Sequence, residues 1–252
     1  MIELTGTQWI LLAVGAFVTG LSKGGMAGFG ILAVACFANA LPARASTGAL
    51  LPMLVAADLI GVALYRKHAE WRYVWRLSPW VVAGVVAGAL ALGRINNPQV
   101  ARIIGVILLG LTVLHGWRQR TAQDPEALAT RLPHTWWFAG LIGLLTGFTT
   151  MVANAAGPLM ILYLLAMGLP KLGLIGTMAW SFLLLNLFKV PFSVGLGLIN
   201  AQSLLLDAVL LVPMVPGALL APRIVRHLPQ RVFEQLVLGL TIIAALRLLI
   251  HP

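Results

Sequence analysis

Three ionisable side chains stand inside long apolar stretches of this chain: Lys23, Asp58 and Lys189. A charge within a run long enough to span a bilayer is costly unless it is paired, protonated or hydrated, so each is a candidate for handling ions. Asp58 lies near the middle of its stretch. It is either a proton-coupling carboxylate or the structural partner of Lys23 or Lys189. Lys23 sits at a glycine-rich break, where it either neutralises a bound anion or snorkels to the membrane surface. Lys189 comes late in its stretch, just before Pro191, about 26 Å from the segment start as helix. The simpler reading sends its ammonium to the far headgroups. Asn186, one turn earlier, is polar too and shares this central region.

The break beside Lys23 reads Thr19-Gly20-Leu21-Ser22-Lys23-Gly24-Gly25-Met26-Ala27-Gly28-Phe29-Gly30. A second reads Thr146-Gly147-Phe148-Thr149-Thr150-Met151-Val152-Ala153-Asn154-Ala155-Ala156-Gly157. Laid over each other, Thr19-Gly20 meets Thr146-Gly147, and Gly30 meets Gly157. Glycine costs about 1 kcal/mol relative to alanine within a helix, so the five glycines among the twelve residues of the first stretch argue against one unbroken helix. Irregular backbone at membrane depth is tolerated only where protein buries it or it lines a polar cavity. A helix starting after a break offers unpaired N–H groups and a partial positive charge, which suits a small oxyanion. Gly24, Gly25, Gly28, Gly30 and Gly157 allow close backbone approach. Ser22, Thr149, Thr150 and Asn154 add neutral hydrogen bonds, and Pro158 suits a first helical turn. The competing reading is that these glycines serve only close helix packing.

The elements that position these groups are membrane helices. Of 252 residues, 60% are hydrophobic and 10% charged, against about 25% charged in soluble domains. Apolar segments fall near 6–22, 25–41, 47–65, 78–93 and 99–117, then near 135–150, 155–168, 172–199, 203–222 and 231–249. The expectation is an all-α polytopic membrane protein with about 8–10 membrane segments. The segments flanking each break are either short crossings or the arms of a re-entrant hairpin. The net charge of +10 sits mostly in short loops, which is a topology signal rather than a nucleic-acid footprint. Cys36 is the only cysteine, which excludes a disulfide framework. His68, His115, His134, His227 and His251 lie in loops or at segment ends and form no metal or catalytic constellation. Asp207, a turn or so inside its segment, is expected at the interface.

The chain also repeats itself. Leu41-Pro42 matches Leu169-Pro170, Asp58 falls on Asn186, and Gly88-Ala89-Leu90 matches Gly217-Ala218-Leu219. Farther on, Leu109-Gly110-Leu111-Thr112 matches Leu238-Gly239-Leu240-Thr241. This divides the chain into repeats at 1–117 and 134–252 joined by a polar linker, 118–133. Charge sets their relative sense. Loops 66–76, 118–133 and 223–231 share the cytoplasmic side only if each half crosses an odd number of times, which makes the repeats inverted. Trp71, Trp75, Trp80, Trp117, Trp136 and Trp137 mark segment ends, as an aromatic belt does.

With the glycine-rich motif, its second copy and halves of four to five segments, the whole chain resembles the sulfite exporter TauE/SafE family, also called the toluene-sulfonate uptake permease family. The resemblance rests on Gly24-Gly25-Met26-Ala27-Gly28-Phe29-Gly30; the second copy, Asn154-Ala155-Ala156-Gly157-Pro158, departs further from the common form. It implies a multi-pass cell (inner) membrane transporter of sulfur oxyanions or organosulfonates, with no enzymatic activity and no cofactor. The expected mechanism is alternating access, with protons as the candidate coupling ion and a second copy of the chain as a candidate partner. Two other classes stay open: an anion channel, and an intramembrane enzyme or assembly factor that carries no flux.

Overall fold

The computed structural model describes residues 4–23, 29–121, 135–227 and 230–251. Among the described residues ten α-helices follow one another: α1 (Gly6–Lys23), α2 (Gly30–Ala40), α3 (Ala43–Tyr65), α4 (Trp71–Arg94), α5 (Asn97–Thr121), α6 (Trp136–Ala153), α7 (Gly157–Ala166), α8 (Lys171–Gly195), α9 (Ala201–His227) and α10 (Gln230–Ile250). No strand occurs among the described residues. Among the described residues six helices, α3, α4, α5, α6, α8 and α9, are long and apolar enough to cross a bilayer. Large apolar side chains such as Ile10, Val113, Leu205, Val212 and Ile243 point outward, as lipid-facing residues must. The protein is an integral membrane protein.

Two expected boundaries move. Helix α4 begins at Trp71 rather than near 78, so Arg72 and Arg76 belong to its first two turns, and only Arg66–His68 form a separate 3-10 turn. Hydropathy missed this start because the amphipathic first turns carry charge. Helix α5 likewise runs to Thr121, into the stretch taken as linker. The rest of that linker, 122–133, lies outside the described residues, as do Gly24, Gly25 and Gly28.

Helices α2 and α7 have 11 and 10 residues, or about 16 and 15 Å. Neither can cross a hydrocarbon core of about 30 Å alone. Helix α2 folds back antiparallel along α1. Gln8 Nε2 donates to the Ala40 carbonyl at 2.8 Å, Gly15 faces Cys36 and Phe37, and Ser22 lies beside Gly30.

The two halves are interlocked rather than side by side. The first helix of each packs on the fourth of the other, α1 on α9 and α6 on α4, while α3 meets α8 and α5 meets α10. Glycine makes the first two contacts possible. A Cβ on Gly20 would lie 2.1 Å from the Met214 carbonyl oxygen, and one on Gly217 would lie 2.2 Å from that of Phe17. At the other crossing, a Cβ on Gly147 would lie 2.1 Å from the Val81 carbonyl oxygen, and one on Gly84 2.2 Å from that of Leu144. Backbone approach of this kind is how membrane helices gain dispersion without a hydrophobic drive. The glycine that meets Gly147 is Gly84, one turn before the Gly88 that the repeat register equates with Gly217.

Candidate functional site

Three helical stripes and two helix starts converge on one pocket. Helix α1 contributes Thr19, Ser22 and Lys23; α3 contributes Leu54, Asp58, Gly61 and Tyr65; α8 contributes Ile175, Met178, Ala179, Phe182 and Asn186. Each set is spaced by three or four residues, so it forms one face of its helix. Gly30 and Ile31 open α2 at the same pocket, and Gly157 and Pro158 open α7. Neither Phe29 nor Ala156, the residues that precede the two helices, makes a side-chain cap hydrogen bond among the described residues. The first turn of α7 offers the N–H groups of Gly157 and Leu159, Pro158 having none, and the macrodipole adds positive potential. The cavity is about 100 Å³. Taking about 30 Å³ per liquid water, it admits a few waters or one small oxyanion.

The charged groups form a continuous chain. Lys23 Nζ lies 2.6 Å from Asp58 Oδ1, an ion pair by distance whose angles fall outside hydrogen-bond geometry. The same ammonium sits 4.3 Å above the centre of the Phe182 ring, a favourable cation–π position. Asn186 Nδ2 donates to Asp58 Oδ2 at 2.6 Å. Behind them, Lys189 Nζ donates to Asn186 Oδ1 at 3.2 Å, Thr150 Oγ1 at 3.1 Å and Asn154 Oδ1 at 2.5 Å. Asn154 in turn donates from Nδ2 to the Thr47 carbonyl at 2.8 Å, and Thr47 Oγ1 donates to the Val152 carbonyl at 2.9 Å.

Asn154 holds the second break open by its backbone. It ends α6 in the left-handed region, φ 52° and ψ 25°, with its N–H turned back to Thr149 and Thr150 carbonyls. Asparagine tolerates that region better than most residues. The turn frees the chain to restart as α7 at the pocket wall.

Several expectations are corrected by this geometry. Lys189 does not reach headgroups: it is 1% exposed and fully engaged. Its depth was misjudged because distance along a helix says nothing about which face the residue occupies. Thr149 does not line the pocket; its hydroxyl bonds back to the Leu145 and Thr146 carbonyls. Asp207 is buried within the protein, and neither of its oxygens has a partner among the described residues. His115 lies near the end of the apolar part of α5, as expected, and its side chain is buried. The sequence reading missed Tyr65, Phe182 and Thr19 as pocket residues; their spacing of three to seven residues from Asp58, Asn186 and Lys23 was the available signal.

The glycines divide by surroundings. Gly157 has nothing within 4 Å of where a Cβ would project, although it lines the pocket. Gly157→Ala is therefore expected to leave thermal stability within about 0.5 kcal/mol of wild type. A methyl beside the exposed N–H groups should still weaken oxyanion binding several-fold. Paired melting and calorimetric titration with sulfite check this; a lower melting temperature with unchanged affinity would make Gly157 a packing residue.

No curated protein and no solved structure matches the chain. A model of the family described as Sulfite exporter TauE/SafE matches residues 11–248. With that match over nearly its whole length, the chain belongs to the TauE/SafE sulfite exporter family of membrane transporters.

Proposed function

We propose that this protein is a secondary transporter of a small sulfur oxyanion or organosulfonate, working by alternating access between two inverted repeats. The observation that carries the reading is the convergence of two helix starts and Lys23 on one small cavity, with Lys189 held behind Asn154 and Asn186 of its wall. Support for inversion comes from where the halves begin. Helix α1 starts at the end where Gln8 meets Ala40. Helix α6 starts where Trp136 stacks near Trp80, in the early turns of α4. Arg44, at the start of α3, donates to the Ile95 carbonyl at the far end of α4. The two halves thus start at opposite ends, as inverted-repeat transporters do.

Orientation follows from charge. Arg66, Lys67, Arg72 and Arg76 cluster at the end where Tyr65 finishes α3, and that end is cytoplasmic in an inner membrane by the positive-inside rule. The same rule assigns 118–133 and 223–231 to it. Tyr65 and Ile175 bring the pocket toward this end. Toward the other, Thr47, Val152 and Asn154 are tied together. These positions support reading the described form as inward-open, in which case opening outward requires those ties to break. Asp58 is the proton-coupling candidate, being buried, paired and next to the cavity. Transport rather than catalysis is the reading, supported by membership of a family described as sulfite exporters.

Flux into proteoliposomes tests this. Sulfite uptake is expected to be saturable, to exceed lactate uptake by about tenfold or more, and to rise with an imposed proton gradient. Asp58→Asn should remove the gradient dependence. Lactate carried as well as sulfite would sink the sulfur assignment, single-channel currents would replace the transporter with a channel, and a fully pH-dependent Asp58→Asn variant would clear Asp58 of coupling.

A further inference from the structure

The described lining of the pocket holds three titratable side chains, Lys23, Asp58 and Tyr65. Gly24 to Gly28, outside the described residues, carry no ionisable group. Lys23 and Asp58 bear opposite charges and cancel, so the lining by itself has no net charge. The charge of a bound anion must be balanced in some other way. Lys189 stands behind the wall, its Nζ turned to Asn154, Asn186 and Thr150. Cys36, His115 and Asp207 are buried titratable side chains on α2, α5 and α9, which pack against α3, and none of them lines the cavity. The two oxygens of Asp58 differ. Oδ2 accepts from Asn186 Nδ2 at 2.6 Å. Oδ1 accepts no hydrogen bond among the described residues and has only the ionic contact with Lys23, at 2.6 Å.

Lys23 is the charged donor that an anion in the cavity can reach, and Asp58 already holds it. An anion that draws Lys23 away leaves a buried carboxylate without its ion pair, which is costly. An anion that shares Lys23 sets two negative charges around one ammonium in a poorly solvated site, and such a pair is relieved when one member takes a proton. We infer that each singly charged anion is bound together with one proton, taken from solvent onto Asp58 Oδ1, so that the loaded site is neutral and anion and proton cross as a neutral pair. The inference rests on the anion-site reading above and deepens it, giving the proton its atom and its ratio to the anion. Oδ1 is free for the proton because Oδ2 is engaged by Asn186. The acid so formed has an O–H to donate to an anion oxygen, which a carboxylate lacks.

Methanesulfonate is the probe, because it keeps its single charge throughout the working pH range and any proton gained belongs to the protein. Calorimetric titration of the full-length protein in detergent at neutral pH, repeated in two buffers of different ionisation enthalpy, reads the protons exchanged. Wild type should take up about one proton per anion, and its affinity should rise about tenfold for each pH unit lowered, because the loaded form holds more protons than the free one. Asp58→Asn, which fixes that side chain in a neutral form, should bind with no proton exchange and no pH dependence over the same range. Infrared difference spectra of wild type with and without methanesulfonate should show a carboxylate band lost and a carboxylic acid band gained. This arm needs no variant, so a poorly folded Asp58→Asn protein does not shelter the inference. Wild-type binding with no proton taken up overturns the inference and leaves the anion-site reading standing. Uptake that persists in Asp58→Asn, or spectra in which no carboxylate is lost, gives the proton to another group such as Lys189 and overturns it as well. Absence of methanesulfonate binding overturns the anion-site reading and the inference together.

Discussion

Lys189→Met is expected to weaken sulfur-anion binding by about a hundredfold or more and to lower the melting temperature in detergent. Methionine matches the length of the lysine stem and keeps the packing, so the change isolates the ammonium. Its loss strips a donor from Thr150 Oγ1, Asn154 Oδ1 and Asn186 Oδ1 together. A buried acceptor left without a partner costs about 1–3 kcal/mol, and three in one network couple rather than add. Asn154 would lose the contact that steadies the left-handed turn into α7 at the pocket wall. Arginine should not rescue, because a guanidinium is planar and larger than the space those three oxygens enclose. Calorimetric titration with methanesulfonate and a melting curve on the same sample separate the two effects. Lost stability with an unchanged dissociation constant would leave Lys189 as scaffold only.

The second large effect concerns packing. In Gly147→Val the first carbon added would fall 2.1 Å from the Val81 carbonyl oxygen and 2.8 Å from the Val85 nitrogen. Both are backbone atoms, so no side-chain rotation relieves the clash, and α6 must separate from α4. The cost should exceed about 4 kcal/mol, in the range where single changes abolish folding. Gly20→Val should do the same to α1 and α9, where the nearest atoms are the Met214 oxygen and the Ala218 nitrogen. Gly110→Ala and Gly239→Ala are the controls. Nothing lies within 4 Å of either, and alanine gains up to about 1 kcal/mol of helix propensity. Unfolding in detergent, followed by the loss of a monodisperse species, should rank the valine variants far below wild type and the alanine controls at or above it. A stable Gly147→Val protein would refute the contact.

These glycines show where reading the sequence stops. Gly20, Gly147, Gly30 and Gly157 belong to one repeated motif, and composition alone allows either close packing or ligand approach for all four. The fold divides them. Gly20 and Gly147 are pressed against backbone of the opposite half, while Gly157 faces open space and Gly30 meets only the Ser22 hydroxyl at 3.4 Å. The motif announced that something needs small residues; only the neighbours say what.

Hydropathy and helix punctuation located the membrane class and most of the ten helices, because those signals are local. An apolar run or a proline acts within a few residues of itself. Charge suggested inverted repeats for a similar reason, since each loop's basic residues bear on that loop's side. The partner of a buried charge is another matter. Asp58 and Asn186 are 128 positions apart, and Lys189 and Asn154 are 35 apart. Sequence identified all four as polar groups in apolar surroundings. Tertiary structure decided that Lys189 turns inward while Thr149 returns to its own helix, because hydrogen-bond partners are chosen by which helix faces meet, and that depends on backbone contacts made far along the chain.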